Sequence, residues 1–314
     1  MNRISFEGQV VIVTGAGGGL GSVFSQEIGR RGGAVIVNDL GGSVTGEGNE
    51  TSTSYADRVV DTIRAAGGQA VANHDTVATP QGARCIIETA MDKFGRIDAV
   101  IANAGNMRYG DFESLSFDDL NALLAVHVGG SWNVTQAAWP EMKRRGYGRV
   151  VFITSSGGML GNAQLAAYGA AKGGVMGLMH CLAEAGKPHG ILCNAVMPNA
   201  MSRMTSGIKP GELGHNSWAA ALGQYFDPRY TTGLVTFLAS SACTSHHGIY
   251  SALGGRIGRA FIGIADGVAN DTPIDADKVA ANWQMICDVA RGYSIPADVT
   301  DEFRIVAEQR GVAV

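Results

Sequence analysis

The chain is poor in charge, in cysteine and in proline. Charged residues take 17% of its 314 positions, against roughly 25% in an average globular chain. The net charge is −4 and there is no extended run of Lys or Arg, so no nucleic-acid partner is expected, because phosphates demand a basic patch. The five cysteines (Cys85, Cys181, Cys193, Cys243 and Cys287) lie far apart and form no C-x-x-C pair. They read as reduced thiols of a cytoplasmic protein rather than as a disulfide framework. No apolar stretch approaches the roughly 18 residues of a membrane span. Met1 leads directly into an apolar strand signal, with neither the basic n-region nor the small-residue cleavage site of a secretory leader. His246-His247 has no third ligand at metal spacing, so the pair reads as solvent-exposed and no metal is expected.

Glycine, by contrast, is plentiful: 45 residues, roughly double the usual share, and only 8 prolines with no G-X-Y period. Glycine at this density places backbone where it must approach something closely. A hydrophobic share of 46% over this length is ample for a core and excludes wholesale disorder.

A β-branched run at 9–14 stops at a glycine cluster; a helix over 22–31 and a strand over 34–38 follow. That is the size of a βαβ unit. The alternation continues with a helix over 55–66, a strand over 70–73, a helix over 80–94 and a strand over 99–102. A long helix over 118–143, with a break near Gly129-Gly130, precedes a strand over 149–154, a helix over 167–186 and a strand over 191–196. Near-continuous apolar strands imply burial on both faces. The expected fold is α/β: a Rossmann-type, doubly wound, mostly parallel sheet with helices on both faces.

Past Met197 the rhythm weakens. Residues 199–226 read as a loop with one or two short helices, 228–240 as a helix and 249–251 as a last strand. The expected division is one domain over 1–255 and a C-terminal extension over 256–314. That extension, with helices at 279–289 and 300–309, would pack on the same domain or on a partner subunit.

Three features carry chemistry. Thr14–Gly21 reads TGAGGGLG between the first strand and the first helix, with Gly15, Gly18, Gly19, Leu20 and Gly21 at its centre. Glycines there let backbone N–H groups meet a pyrophosphate at a helix N-terminus. Asp39 follows the second strand, where a carboxylate accepts both hydroxyls of an adenosine ribose and repels a 2′-phosphate, which points to NAD rather than NADP. A turn aspartate in solvent is the plain alternative. Tyr168 and Lys172 share a helix face at i, i+4, and a lysine near a phenol stabilises phenolate. Taken alone, such a pair reads as a surface contact; its place after the strand ending Thr154-Ser155-Ser156 turns the reading toward chemistry.

Together with Ser155, thirteen residues before Tyr168, and with Asn103-Ala104-Gly105, these motifs resemble the short-chain dehydrogenase/reductase family. The cofactor loop matches that family's TGxxxGxG, and Ala102 replaces the first Asn of its NNAG. VNDLGG (37–42), GGQAVAN (67–73), FGRID (94–98), AVHVGGSWNVTQAAW (125–139), YGRVVFITSS (147–156), CNAVMPNAMSRMT (193–205) and VAANWQMICD (279–288) resemble one subgroup. It comprises the (3R)-hydroxyacyl-CoA dehydrogenase parts of peroxisomal multifunctional enzymes of type 2, also known as type 4 17β-hydroxysteroid dehydrogenases, and their bacterial single-domain relatives.

The resemblance implies NAD-dependent oxidation of a secondary alcohol, with Tyr168 as acid/base, Ser155 holding the substrate oxygen and Lys172 binding the nicotinamide ribose. Where the family usually has an Asn supporting a relay water, this chain has His127, which implies a catalytic role or simply a buried, satisfied histidine. Asp75 and Thr76 fall near the adenine, Asn103, Ala104 and Gly105 along its side, and Pro198, Met201, Ser202 and Thr205 near the nicotinamide and pyrophosphate. An N-cap or Asx-turn residue is the plain alternative for Asp75. Met197, Met201 and Met204 could cover substrate or fill gaps, and Arg256 and Arg259 could meet a CoA phosphate or stand at the surface. The implied partners are a small-molecule substrate, an acyl-CoA thioester foremost, and further copies of the chain in a homodimer or homotetramer. The rival readings are a free hydroxysteroid dehydrogenase and a catalytically silent dinucleotide-binding regulator.

Overall fold

The computed structural model describes residues 3–43, 52–200 and 223–312. The chain divides into two compact units, residues 1–259 and 260–314.

Short β-branched runs build the sheet of the first unit: β1 Val10–Thr14, β2 Ala34–Asn38, β3 Gln69–Asn73, β4 Ala99–Ala102, β5 Gly148–Ile153, β6 Ile191–Asn199, β7 Gly248–Leu253 and β8 Arg256–Ala260. Every residue of β1, β2, β4 and β5 is buried, as a sheet covered on both faces requires. The order is β3-β2-β1-β4-β5-β6-β7-β8, and each neighbouring pair from β3 to β7 is parallel. This is the expected Rossmann-type arrangement, with the strand order reversing between β1 and β4. Parallel strands all end on one edge, so the loops after β1 to β6 converge there.

Helices α1 Gly19–Arg30, α2 Ser54–Ala65, α3 Pro80–Phe94, α4 Phe117–Leu124, α5 Gly130–Arg145, the short α6 Ser156–Met159, α7 Ala166–Gly186 and α8 Arg229–Ala239 complete the unit. Phe24 and Ile28 of α1, Val59 and Ile63 of α2 and Leu234, Val235 and Leu238 of α8 pack with Val11, Val13, Val35 and Val37 of the sheet in one core. The starts of α3 and α4 are closed by side chains. Thr79 accepts from the Gly82 N–H at 3.1 Å, and Ser116 and Asp119 form a reciprocal capping box. The start of α1 differs: its N-cap is Gly18, without a side-chain cap or an acidic residue in the first turn.

Three features depart from the expected elements. Helix α1 begins at Gly19, three residues earlier than the periodicity suggests, because the glycine loop runs directly into its first turn. The break near Gly129-Gly130 is instead a π-helical turn, Ala125–Gly129, which joins α4 to α5 without leaving the helical region. An unforeseen strand, β8, follows β7 through Gly254-Gly255, whose φ angles of 61° and 78° suit a tight hairpin.

The second unit holds β9 Ile264–Ala265, antiparallel to β10 Tyr293–Ser294, with α9 Ala276–Cys287 and α10 Val299–Gln309. Asp275 and Asp298 cap the two helices. Phe261 stacks on Tyr293 at 6.4 Å between ring centroids, and no described residue of this unit is buried. Among the described residues, no helix is long and apolar enough to cross a membrane.

Candidate functional site

The loops that leave the carboxyl ends of β1 to β4 line one cleft, at the position where the strand order reverses. Gly15 has φ of 62°, and a Cβ on it would stand 2.7 Å from Ala104 Cα, so only glycine fits between the first and fourth loops. The uncapped N–H groups at the start of α1 open into this cleft through Gly18 and Gly19. An anion satisfies them without competition from the protein. The glycine cradle therefore suits a diphosphate.

Asp39 lies in the cleft wall. Its Oδ2 accepts from the Gly17 N–H at 2.8 Å and its Oδ1 from the Gly41 N–H at 2.7 Å. Each oxygen keeps lone-pair capacity for a ligand hydroxyl. The Asx turn here belongs to Asn73 rather than to Asp75: Asn73 Oδ1 accepts from the Asp75 N–H at 3.0 Å, and Asn73 Nδ2 donates to Asp75 Oδ2 at 2.8 Å. Asp75 shares its side of the cleft with Thr76 and with Asn38, whose amide donates to both Asn73 Oδ1 and the Asp75 carbonyl at 2.8 Å. Asn103 turns inward. Its amide donates to the Thr14 carbonyl at 2.9 Å and the Gly15 carbonyl at 3.0 Å, so it braces the glycine loop, and the 103–105 backbone lines the cleft.

The loop after β5 supplies Ser155, which caps α6 by accepting from the Gly157 N–H at 3.1 Å. Helix α7 supplies Tyr168 and Lys172, both buried. The Ser155 side chain bears on the Tyr168 phenol and draws its pKa down. Lys172 Nζ donates to the Ile153 carbonyl at 2.7 Å and lies 5.7 Å from the centre of the Tyr168 ring. Burial pushes the Tyr168 phenol up to about 12, against the smaller pull of Ser155, and pushes the Lys172 ammonium down to about 7. The lysine does not lower the phenol, contrary to the expectation from the sequence. Its ammonium is spent on Ile153 and desolvation outweighs it.

His127 is 1% exposed, at the centre of the π turn. Its Nε2 meets the Asn106 carbonyl at 2.8 Å, and its ring stands edge-on to Tyr168 at 5.4 Å and 89°. Burial, reinforced by the Lys172 charge, holds its pKa well below the usual histidine value. Ser155, Tyr168, Lys172 and His127 are thus brought together.

Pro198 lies near the end of β6, paired in register with Ala252. Met201, Ser202, Met204 and Thr205 lie outside the described residues. Arg256 and Arg259 are exposed on β8. His246 and His247 are not solvent-exposed as expected. They are partly buried against α7, where His247 meets His180 at 2.5 Å and Glu184 at 3.3 Å. Among the described residues no group of three or more His, Cys, Asp or Glu could hold a metal ion.

Sequence reading missed Asn38 and Asn106. Asn38 ends β2 in register with Asn73 of β3, a pairing invisible before the register is known. Asn106 directly follows the recognised Asn103–Gly105 motif, and that adjacency was the available signal.

A parallel sheet with a glycine cradle at its switch point, and one strand away a half-buried Ser beside a buried Tyr and Lys, is the arrangement of a dinucleotide-dependent oxidoreductase. The short chain dehydrogenase family profile matches residues 9–211, and the chain belongs to that family of nicotinamide-dinucleotide oxidoreductases. A short-chain type dehydrogenase/reductase of Mycobacterium tuberculosis is 40% identical over 282 residues, 90% of this chain and 95% of that protein. Peroxisomal multifunctional enzyme type 2 of Mus musculus is 40% identical over 288 residues, 91% of this chain but 37% of the mouse protein. The solved full-length peroxisomal multifunctional enzyme type 2 of Drosophila melanogaster superposes with a TM-score of 0.78 at 28% identity, over 97% of this chain and 50% of that one. The chain therefore spans half or less of these multifunctional relatives.

Proposed function

We propose that the protein is an NAD-dependent dehydrogenase that oxidises a secondary alcohol to a ketone, with a (3R)-3-hydroxyacyl-CoA as substrate and the 3-oxoacyl-CoA as product. The observation that carries this reading is the meeting of Ser155, Tyr168 and Lys172 one strand away from the glycine cleft. The likeness to multifunctional enzymes of type 2 supports the acyl-CoA class.

The cradle of Gly15 and Gly18–Gly21 would hold the diphosphate, and Asp39 would accept the adenosine ribose hydroxyls. A carboxylate there disfavours a 2′-phosphate, which supports NAD over NADP. Asp75, Thr76 and the 103–105 backbone would border the adenine. Lys172 would bind the second ribose, with Pro198, Met201 and Ser202 beside the nicotinamide. The bound nicotinamide supplies the hydride acceptor. Tyr168, as phenolate, takes the proton from the substrate hydroxyl. Ser155 donates to the substrate oxygen and keeps it in line. Lys172, charged, offsets the phenolate in a site where neither charge is stable alone. The protein acts as a homodimer or homotetramer. Helix α7 would serve as contact surface, because Ala170, Gly174, Gly177 and Cys181 leave its exposed stripe flat.

Tyr168→Phe tests the assignment. Turnover of an alcohol substrate should fall about a thousandfold or more, as loss of the acid/base group demands, while NADH binding by fluorescence stays nearly unchanged. Turnover within about tenfold of the parent would defeat it.

A further inference from the structure

The geometry points to His127 as a positioning residue: a neutral imidazole of one fixed tautomer that sets the Tyr168 ring against the wall of the dinucleotide cleft. This rests on the reading of Tyr168 as acid/base. A backbone carbonyl only accepts, so the 2.8 Å contact with Asn106 puts the proton on Nε2. Nδ1 is then a bare acceptor, buried and without a protein partner. No described side chain supplies the donor that Nδ1 requires.

The ring is held on both sides. On one side it stands edge-on to Tyr168. On the other it lies against the bare backbone of Gly105, where an added Cβ would be 2.5 Å from His127 Cε1. Gly105 and Asn106 both line the cleft, as does Val126, the residue before His127. The π turn brings this about: its extra residue widens the helix at the point where Val126 and His127 must serve the cleft and the phenol. The imidazole is therefore a strut between the cleft wall and the phenol, and displacement of either reaches the other through it. The charged groups that bear on it are few. Lys172 faces it from α7, and a second positive charge beside that ammonium is excluded by burial.

Two measurements decide this. In protein labelled with 15N-histidine, the His127 signal should remain that of the neutral Nε2–H tautomer from about pH 5 to 9. An imidazolium or an Nδ1–H form in that range overturns the proposal, whether or not any substrate is turned over. For kinetics, His127→Phe keeps the ring but not the bond to Asn106, and His127→Gln keeps a donor at the same reach. His127→Phe should lower kcat roughly ten- to hundredfold, the loss expected of a displaced catalytic group, with dinucleotide affinity changed far less and Tm lowered by the unpaired Asn106 carbonyl. His127→Gln should recover most of kcat and keep the acid limb of the pH profile. Parent-like kcat in His127→Phe, or a lowered Tm with unaltered kcat per folded molecule, would reduce His127 to a packing residue. An absence of turnover in the unmodified enzyme on every alcohol would strike the proposed function, not the tautomer.

Discussion

Replacing Lys172 by methionine should make the dinucleotide-free protein more stable at neutral and acid pH while silencing it. Burial lowers the Lys172 ammonium from 10.5 to about 7. At about 1.4 kcal/mol per pH unit, the fold carries about 5 kcal/mol of charge-burial cost below pH 7. Methionine removes that cost but leaves the Ile153 carbonyl without its donor, which costs about 1–3 kcal/mol. The net expectation at pH 6 is a variant more stable by about 2–4 kcal/mol. Between pH 7 and 10.5 the unfolded lysine keeps its proton and the folded one does not. The parent protein therefore gains stability as pH rises through that window, and the variant does not. Near pH 10 the order should reverse, because only the lost hydrogen bond remains. Urea unfolding at pH 6, 8 and 10 reads this directly. A difference that does not vary with pH, or a variant less stable at pH 6, refutes the reasoning.

Asp39→Asn removes the charge that repels a 2′-phosphate, so the ratio of kcat/KM for NAD to that for NADP should fall about tenfold or more; an unchanged ratio assigns the selectivity elsewhere. Ser116→Ala, which breaks the capping box of α4, should cost about 1 kcal/mol in denaturation without changing KM for the dinucleotide. Gly105→Ala drives a methyl group into the His127 ring and should depress kcat more than it weakens NADH binding, as a split of kcat and KM would record. Light scattering should give a multiple of the 32.6 kDa chain mass, and Gly177→Arg on the exposed stripe of α7 should reduce it. A monomer in the unmodified protein contradicts the assembly.

The centre of the sheet was legible because β1 and β2 are buried on both faces and rich in β-branched residues, as VVIVT and AVIVN show. The glycine loop, Asp39 and the Ser155–Tyr168–Lys172 spacing were legible because each is a local pattern. What was not legible depends on contacts between distant residues. His247 meets His180, 67 positions away, and a dipeptide in isolation says nothing of that. The glycines at 129 and 130 marked a discontinuity, but a π turn and a break leave the same trace in sequence. The Tyr168 phenol was expected to fall toward the working pH; burial, which sequence does not report, raises it instead. In the second unit, apolar periodicity has no buried face to match.

The central claim is most directly tested by following NADH formation from NAD with a (3R)-3-hydroxyacyl-CoA, its (3S) epimer and a free hydroxysteroid in parallel. The proposed function predicts NADH from the (3R) thioester and little from the other two. Activity confined to the free alcohol, or NADH binding with no turnover of any of the three, would contradict it.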